Sequence, residues 1–184
     1  MFTQALGWEH GVQFLCVAFQ NRVAHAMGGV TLHAGGDVSV GGAHKPLQHT
    51  DVGALFTKNQ HLRWVLTDEV GMISDSLLGE FDQHITDAAR RTRFSRRADK
   101  SLRPCGGYNL LTFGDLYQIP PIPATAALFI PSREGKTQLE RAALNLFWSE
   151  ESSQAFNVFW ELKVQKRVLD DVWYASLWEE CRCG

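Results

Sequence analysis

Apolar and polar positions form short runs that predict strands and helices in alternation along the chain. Residues 12–19 are apolar enough for a buried strand, residues 21–27 read as a short helix, and the glycine-rich stretch 35–42 reads as a loop. Further strands are predicted at 62–67, 108–113 and 155–162, and further helices at 74–91, 139–148 and 170–181. This alternation predicts an α/β protein with a three-layer, parallel sheet.

For two of the predicted helices, the sequence also predicts the N-cap or the buried face. The helix over 74–91 has apolar residues at helical spacing, and Ser74 or Asp75 is available as its N-cap. In the last helix we expect four apolar side chains to face inward, namely Val172, Trp173, Leu177 and Trp178. The prolines after residue 119 exclude a helix and predict a rigid extended loop.

Composition narrows the class of protein. The chain has 184 residues, of which 45% are hydrophobic and 21% charged, as in one soluble globular domain. No apolar run is long enough to span a bilayer, and no secretory signal follows Met1, so intracellular residence is expected. The four cysteines include no Cys-x-x-Cys pair, which favours reduced structural thiols over a zinc site.

Two of the predicted strands stop abruptly at acids. Leu62 to Thr67 runs into Asp68-Glu69, and Asn109 to Phe113 runs into Gly114-Asp115. A buried parallel strand delivers such polar groups to the carboxyl edge of the sheet, where open α/β folds keep their ligand sites. The Asp-Glu pair has the form of the acidic element of nucleoside triphosphatases, in which the first acid holds Mg²⁺ and the second accepts a proton from water.

The segment after the second strand carries the most specific pattern. Gly114-Asp115-Leu116-Tyr117-Gln118-Ile119-Pro120-Pro121 resembles the Gly-Asp-x-x-Gln-Leu-Pro-Pro element of the Pif-type DNA helicases and their RecD-like relatives, with Ile119 in place of Leu. The resemblance implies that Asp115 and Gln118 belong to the nucleotide site, where Gln118 senses the terminal phosphate. It assigns magnesium binding to Asp68 and water activation to Glu69.

Other stretches resemble the same family in the same order. Gly29-Val30-Thr31-Leu32-His33 is similar to a Gly-x-Thr-x-His signature, which implies that Thr31 and His33 contact single-stranded DNA. The run Asp68 to Ile73 has Gly71 where the family has Ser, and Pro104 to Gly107 has Cys105 where the family has Phe. The segment from Leu162 to Arg167 resembles a Leu-x-x-x-x-Arg element, which implies that Arg167 reaches the γ-phosphate.

The resemblance implies an incomplete RecA-like fold of the P-loop NTPase type. Residues 1–184 would then be part of the first of two motor domains, truncated at both ends, with ATP and Mg²⁺ as cofactors. The expected partners are single-stranded DNA or DNA duplex junctions and the missing segments of the helicase, and no membrane is expected. In a eukaryote the expected compartment is the nucleus or the mitochondrion. The sequence contains no Gly-x-x-x-x-Gly-Lys-Ser/Thr, and Gly135-Lys136-Thr137 is interpreted as a chance match in a surface loop. We therefore expect the isolated chain to be inactive.

Two other hypotheses remain open. The chain is a non-catalytic relic that binds DNA or a partner protein, or it is an unrelated α/β enzyme that uses Asp68 and Asp115 on another substrate. A basic run between Arg90 and Arg103 holds seven of the eighteen basic residues and one acid, Asp99. Such a run binds phosphates or is a solvated face, and the solvated face is the favoured interpretation.

Overall fold

The computed structural model describes residues 2–41, 46–90, 92–115, 118–150, 155–156, 158–162 and 171–183. The described strands are β1 (Phe14–Ala18), β2 (Val30–Thr31), β3 (Trp64–Asp68) and β4 (Asn109–Thr112). The described α-helices are α1 (Phe2–Leu6), α2 (Asn21–Ala26), α3 (Leu32–Gly36), α4 (His49–Asn59), α5 (Asp75–Ala89), α6 (Gln138–Trp148) and α7 (Val172–Cys183).

The four strands form one sheet in the order β2-β1-β3-β4, and every neighbouring pair is parallel. In its register Cys16 lies beside Leu66, and Leu66 lies beside Leu111. Strands that are buried on both faces read as continuous apolar runs, and β1 is buried at all five positions. The predicted α/β class with a parallel sheet is confirmed.

Helices cover both faces of the sheet, as the three-layer prediction requires. On one face α3 lies so close to β1 that a Cβ on Gly35 would sit 3.0 Å from Val17 Cγ1. On the other face the Phe2 ring of α1 stacks on Phe14 at 5.1 Å and lies 5.8 Å from the Trp64 ring. The larger core lies on the α3 side, where α5 and α6 complete it.

Helix α5 is the central helix of that layer. Ser74 is its N-cap, with Oγ accepting from the Leu77 N–H at 3.2 Å, as one of the two alternatives predicted. The helix buries Phe81 and Ile85 almost completely. A Cβ on Gly36 would lie 2.4 Å from the Phe81 ring, so glycine is required there for α3 to approach α5.

A buried histidine also joins α3 to α5. His84 is 1% exposed, and its Nδ1 donates to the Gly36 carbonyl oxygen at 2.8 Å. Among the described residues, no helix is both long enough and apolar enough to cross a bilayer.

Three predictions about secondary structure are corrected, and helices α1 and α4 were not predicted. The expected glycine loop begins inside α3, because Gly35 and Gly36 are the last residues of that helix. The predicted strand over 155–162 is wrong, because its described residues lie in no strand. In α7 the expectation of inward-facing side chains is wrong for Val172, Trp173 and Leu177, which are 79%, 71% and 39% exposed.

Candidate functional site

Two of the predicted site residues, Thr31 and Asp68, lie side by side at the carboxyl edge of the sheet. Ala18 is paired with Thr31 on one side and with Asp68 on the other. Neighbouring strands lie about 4.8 Å apart, so the backbones of Thr31 and Asp68 are separated by about 10 Å across β1. The sheet therefore places a predicted DNA contact and the predicted magnesium ligand side by side.

Asp68 and Glu69 form a tight turn directly after β3. The Asp68 Oδ1 accepts from the Glu69 N–H at 2.9 Å, and both side chains are half-buried. Glu69 has φ 56° and ψ 41°, which is the left-handed region and costs about 1–2 kcal/mol for a residue with a Cβ. This turn directs the chain away from the strand immediately after Asp68 and leads into a 3₁₀ turn, Val70–Met72.

The Asp-Glu turn is interlocked with the Gly-Asp segment that follows β4. The Phe113 N–H donates to the Thr67 carbonyl at 2.8 Å, and the Val70 N–H donates to the Phe113 carbonyl at 2.9 Å. A Cβ on Gly114 would lie 2.8 Å from Val70 N and 3.2 Å from Gly71 N. Glycine at position 114 is therefore what allows the two motifs to touch through their backbones.

Asp115 and Gln118 follow Gly114 in the chain, beyond the end of β4. Asp115 is half-buried and Gln118 is exposed. The Gln118 N–H donates to the Asp115 carbonyl at 3.3 Å, which brings the two residues into one turn. The fold thus gathers Asp68, Glu69, Asp115 and Gln118 at the ends of β3 and β4, while Arg167 lies outside the described residues.

Thr31 and His33 occupy the neighbouring strand end and the helix that follows it. The Thr31 Oγ1 accepts from the Ala34 N–H at 3.2 Å and so caps α3. A hydroxyl that accepts one hydrogen bond still has a proton to donate, which suits a phosphate oxygen. The half-buried His33 ring lies 6.4 Å from the Phe19 ring, at the end of β1.

His33 also lines a cavity of about 290 Å³ beneath this edge. Glu80 of α5 and Glu140 of α6 line the same cavity, together with Ser39 and Ser76. The Glu140 carboxylate accepts from the Thr137 N–H at 2.6 Å. Partial burial acts to raise the pKa of Glu140, but the hydrogen bonds with Thr137 and the nearby Lys136 charge together hold that pKa below its ordinary value. The cavity wall is acidic beside the histidine.

The residues present fit a magnesium ion of the kind that nucleotides carry. Among the described residues, no three His, Cys, Asp or Glu side chains are grouped to hold a metal. Mg²⁺ retains several waters and is usually bound through one or two carboxylates together with substrate phosphates. The half-buried Asp68, with a second oxygen besides the one bonded to the Glu69 N–H, matches that requirement.

Lys136 has a structural role that the sequence did not reveal. Its Nζ lies 2.5 Å from Asp75 Oδ2 and 2.8 Å from the Thr125 carbonyl, and its side chain is only 13% exposed. Thr137 and Glu140 form a capping box at the start of α6. Gly135-Lys136-Thr137 lies in a loop with Gly135 and Thr137 exposed, as predicted, but the lysine charge is bound to a fully buried carboxylate.

Two further residues at this site were missed by sequence reasoning. Gln20 is exposed directly after β1, and its Nε2 lies 3.6 Å from the Met72 sulfur, which ties the end of β1 to the Asp-Glu motif. Asp75 is fully buried at the first turn of α5. The Thr-x-x-Glu pattern at Thr137 was a visible signal for the start of α6, whereas neither the Gln20 contact nor the Asp75 ion pair had a local signal.

Cys105 replaces the aromatic residue of the family pattern and faces α5. Burial raises the pKa of the Cys105 thiol well above its ordinary range, and the nearby Asp82 carboxylate adds to that effect. Burial also raises the pKa of Asp82 to about 6, although hydrogen bonds with Cys105 and Thr86 partly oppose the shift. The thiol is thus held protonated inside the core, as the structural interpretation of the cysteines expects.

Comparison with solved structures finds helicases among the similar chains. A Pif1 helicase from Bacteroides in complex with ADP-AlF3 and ssDNA is 24% identical with a TM-score of 0.45, over 66% of this chain and 26% of that chain. A Pif1 helicase from Candida albicans is 23% identical with a TM-score of 0.47, over 62% of this chain and 26% of that chain. These structures are Pif1 helicases. They belong to the family that the sequence motifs resemble.

A third similar structure is Bacteroides Pif1 in complex with ADP-AlF4, at 21% identity and a TM-score of 0.46, over 80% of this chain and 29% of that chain. The chain therefore spans less than a third of the length of the helicases it matches. No protein-family model matches the chain, and no curated protein sequence matches it. The functional proposal accordingly rests on the chain's own residues.

Proposed function

We propose that this chain is part of the first motor domain of a Pif-type, ATP-dependent DNA helicase that moves 5′ to 3′. The proposal rests on the close backbone contact between the Asp68-Glu69 turn and Gly114. Two motifs that lie more than forty residues apart meet at one sheet edge, and each ends in the acids that such a motor requires.

Each residue at the edge has a role that follows from its chemistry. Asp68 would hold the magnesium of a bound nucleotide, and Glu69 would accept a proton from the attacking water. Asp115 and Gln118 would line the nucleotide on the β4 side, with Gln118 reaching the terminal phosphate. Arg167 is proposed, from the sequence alone, as the group that neutralises charge on that phosphate. Magnesium nucleotide, when bound, supplies the phosphoryl group whose hydrolysis drives movement.

The DNA side of the proposal rests on Thr31, His33 and the neighbouring Phe19. The Thr31 hydroxyl has a proton left to donate, His33 is only half-buried, and Phe19 is 38% exposed. Hydroxyl and ring N–H groups bond phosphate oxygens, while an exposed aromatic ring stacks on bases. Their position beside β2 would bring single-stranded DNA within about 10 Å of Asp68.

We propose further that the chain does not hydrolyse ATP by itself. A motor of this type holds its phosphates with a lysine in a glycine-rich loop, and the lysine of this chain's one Gly-Lys-Thr is paired with Asp75. The same observation favours the alternative of a non-catalytic, DNA-binding relic. An unrelated α/β enzyme that uses Asp68 and Asp115 predicts neither nucleotide binding nor DNA binding.

Binding of a fluorescent ADP, followed by anisotropy in Mg²⁺ and in EDTA, tests the nucleotide site. Loss of one interaction with a charged group costs about 1.5–3 kcal/mol, so we expect Asp68→Asn to weaken Mg²⁺-dependent binding about tenfold or more. Asp37→Asn is the matched control, because Asp37 is exposed and its left-handed backbone conformation suits asparagine. Equal affinity in Mg²⁺ and EDTA for all three proteins would contradict the proposed site.

Hydrolysis and DNA binding separate the remaining alternatives. The isolated chain should release no phosphate above background with or without single-stranded DNA, and a DNA-stimulated activity lost in Glu69→Gln would refute that expectation. A relic would bind single-stranded DNA without any response to magnesium nucleotide. An unrelated enzyme would bind neither ligand in titrations at several salt concentrations.

A further inference from the structure

A basic hairpin stands at the opposite end of the sheet from the proposed nucleotide site. It comprises residues 93–103, with Arg96 and Leu102 joined by an antiparallel bridge. The Arg97 N–H donates to the Ser101 carbonyl at 2.9 Å, and the Lys100 N–H donates to the Arg97 carbonyl at 3.0 Å. The hairpin is followed by the 3₁₀ turn Pro104–Gly107, by Tyr108 and then by β4, so it lies at the amino edge of the sheet.

The hairpin is fixed to the core rather than loosely attached. Ser95 is buried, and its carbonyl accepts from the Arg103 N–H at 2.9 Å. A Cβ on Gly107 would lie 2.2 Å from the Phe94 carbonyl oxygen, and the Phe94 ring packs 5.3 Å from the Tyr108 ring. The basic groups are therefore presented on a rigid support, which lowers the entropic cost of binding a rigid partner.

Three basic side chains of the hairpin, those of Arg93, Arg96 and Lys100, are exposed. Asp99 is engaged in the turn, where its Oδ1 accepts from the Ser101 N–H at 2.9 Å and from the Ser101 hydroxyl at 2.6 Å. These two bonds hold the pKa of Asp99 below its ordinary value. Within the described part of the chain no carboxylate forms an ion pair with Arg93, Arg96 or Lys100, and all three are exposed.

Arg63 extends the same basic surface from the start of β3. Its guanidinium lies 4.6 Å from the centroid of the Phe94 ring, which it covers. Phe94 is therefore enclosed between Arg63 and Tyr108 and does not serve as a platform on which a base can stack. The surface consists mostly of guanidinium groups, whose planar forks match phosphate oxygens better than ammonium groups do.

We propose that the basic hairpin, together with Arg63, binds the phosphate backbone of duplex DNA. The choice of DNA as the polyanion rests on the proposed function. Single-strand binding without sequence preference uses exposed aromatic platforms, whereas a duplex presents one phosphate charge per about 1.7 Å of axis to a surface that offers only charge. An acidic protein partner is disfavoured, because protein interfaces have an apolar centre and the hairpin exposes only Leu102.

The hairpin is a site separate from the proposed nucleotide edge. Helix α5 begins just after the Asp-Glu turn and has 15 residues, so it spans about 22 Å. Its far end meets the hairpin support, because a Cβ on Gly106 would lie 2.7 Å from Ala89 Cβ. The two surfaces are therefore separated by roughly 20 Å.

Anisotropy titration of the full chain with labelled duplex DNA at several salt concentrations tests the proposal. Each phosphate contact contributes about 0.9 to the slope of log K against log salt, which is about eightfold in affinity at 0.1 M salt. We expect Arg93→Gln to lose about that factor and the triple variant Arg93→Gln/Arg96→Gln/Lys100→Gln to lose about 500-fold in affinity. Arg141→Gln is the control, because Arg141 is exposed on α6, outside the basic surface.

Several outcomes would overturn the proposal. One is an Arg93→Gln variant that binds duplex DNA as tightly as the Arg141→Gln variant does. Another is poly-glutamate that binds the hairpin as tightly as duplex DNA does. A third is a triple variant in which the affinity for single-stranded DNA falls more than the affinity for duplex DNA. Circular-dichroism melting checks that the variants fold. Duplex binding that depends on the hairpin but not on Asp68 would support the inference even if nucleotide binding failed. Nucleotide binding by the unchanged chain without any duplex binding would refute the hairpin proposal alone.

Discussion

Gly114→Ala tests the backbone contact on which the candidate site depends. Gly114 is not in the left-handed region, so an added methyl group acts through steric contact alone. Its Cβ would lie 2.8 Å from Val70 N and 2.9 Å from Val70 Cγ1, and both distances are shorter than packed atoms tolerate. The turn after Glu69 must then move, and the 2.9 Å bond from the Val70 N–H to the Phe113 carbonyl must lengthen.

The size of the effect follows from three contributions. Overpacking costs about 1–3 kcal/mol, and weakening one backbone hydrogen bond costs about 1 kcal/mol. Replacing glycine removes freedom from the unfolded chain and returns about 0.4–1 kcal/mol. We therefore expect a net loss of about 1–3 kcal/mol in the free energy of unfolding, which for a chain of this size lowers Tm by about 3–10 °C.

Gly53→Ala is the matched control for that measurement. Gly53 lies inside α4, and a Cβ there would meet no atom within 4 Å, so alanine should stabilise the helix by about 0.5–1 kcal/mol. Urea unfolding of both variants and of the unchanged chain gives the two differences directly. A Gly114→Ala variant as stable as Gly53→Ala would refute the close approach of the two motifs.

Other predictions address buried charge, backbone strain and pH. Lys136→Met should destabilise the chain by about 3–5 kcal/mol, because it leaves Asp75 buried without its partner, and adding Asp75→Asn should recover much of that loss in thermal unfolding. Glu69→Gly should be about 1 kcal/mol more stable than Glu69→Ala in urea, since only the alanine keeps the left-handed strain. The pKa of Asp82 is raised from 3.8 to about 6, so the folded chain binds more protons than the unfolded chain over that interval, and stability falls as pH rises through it. Asp82→Asn should remove a decrease of up to about 3 kcal/mol between pH 4 and pH 7, and an unchanged difference between those two pH values would contradict it.

The carboxyl edge was predictable because its signals are local. An apolar run that stops at Asp68, and another that stops at Gly114-Asp115, specify parallel strand ends without any knowledge of the neighbours. The start of α5 at Ser74 was equally visible, because a serine directly before an apolar helical pattern is an N-cap signal. These elements agree with the structure, since their determinants lie within a few residues of one another in the sequence.

The errors arose where tertiary contacts override local preference. Gly35 and Gly36 favour a loop by propensity, yet they end α3 because only glycine lets that helix approach Val17 and Phe81. The run 155–162 has β propensity, but Phe159 is 84% exposed, and a strand requires a paired neighbour to form. His84 has no local signal of burial in the sequence, and only the fold brings its ring to the Gly36 carbonyl.

Helix α5 links the parts of the molecule that are proposed to act. Its first turn follows the Asp-Glu motif and holds Lys136 through Asp75, and its middle holds α3 through His84 and the Gly36 carbonyl. Its last residue supports Gly106 below the basic hairpin. Because a helix in a close-packed core bends little, the distance between the nucleotide edge and the hairpin is fixed. A duplex held at the hairpin would therefore be held at a constant distance from the proposed nucleotide site.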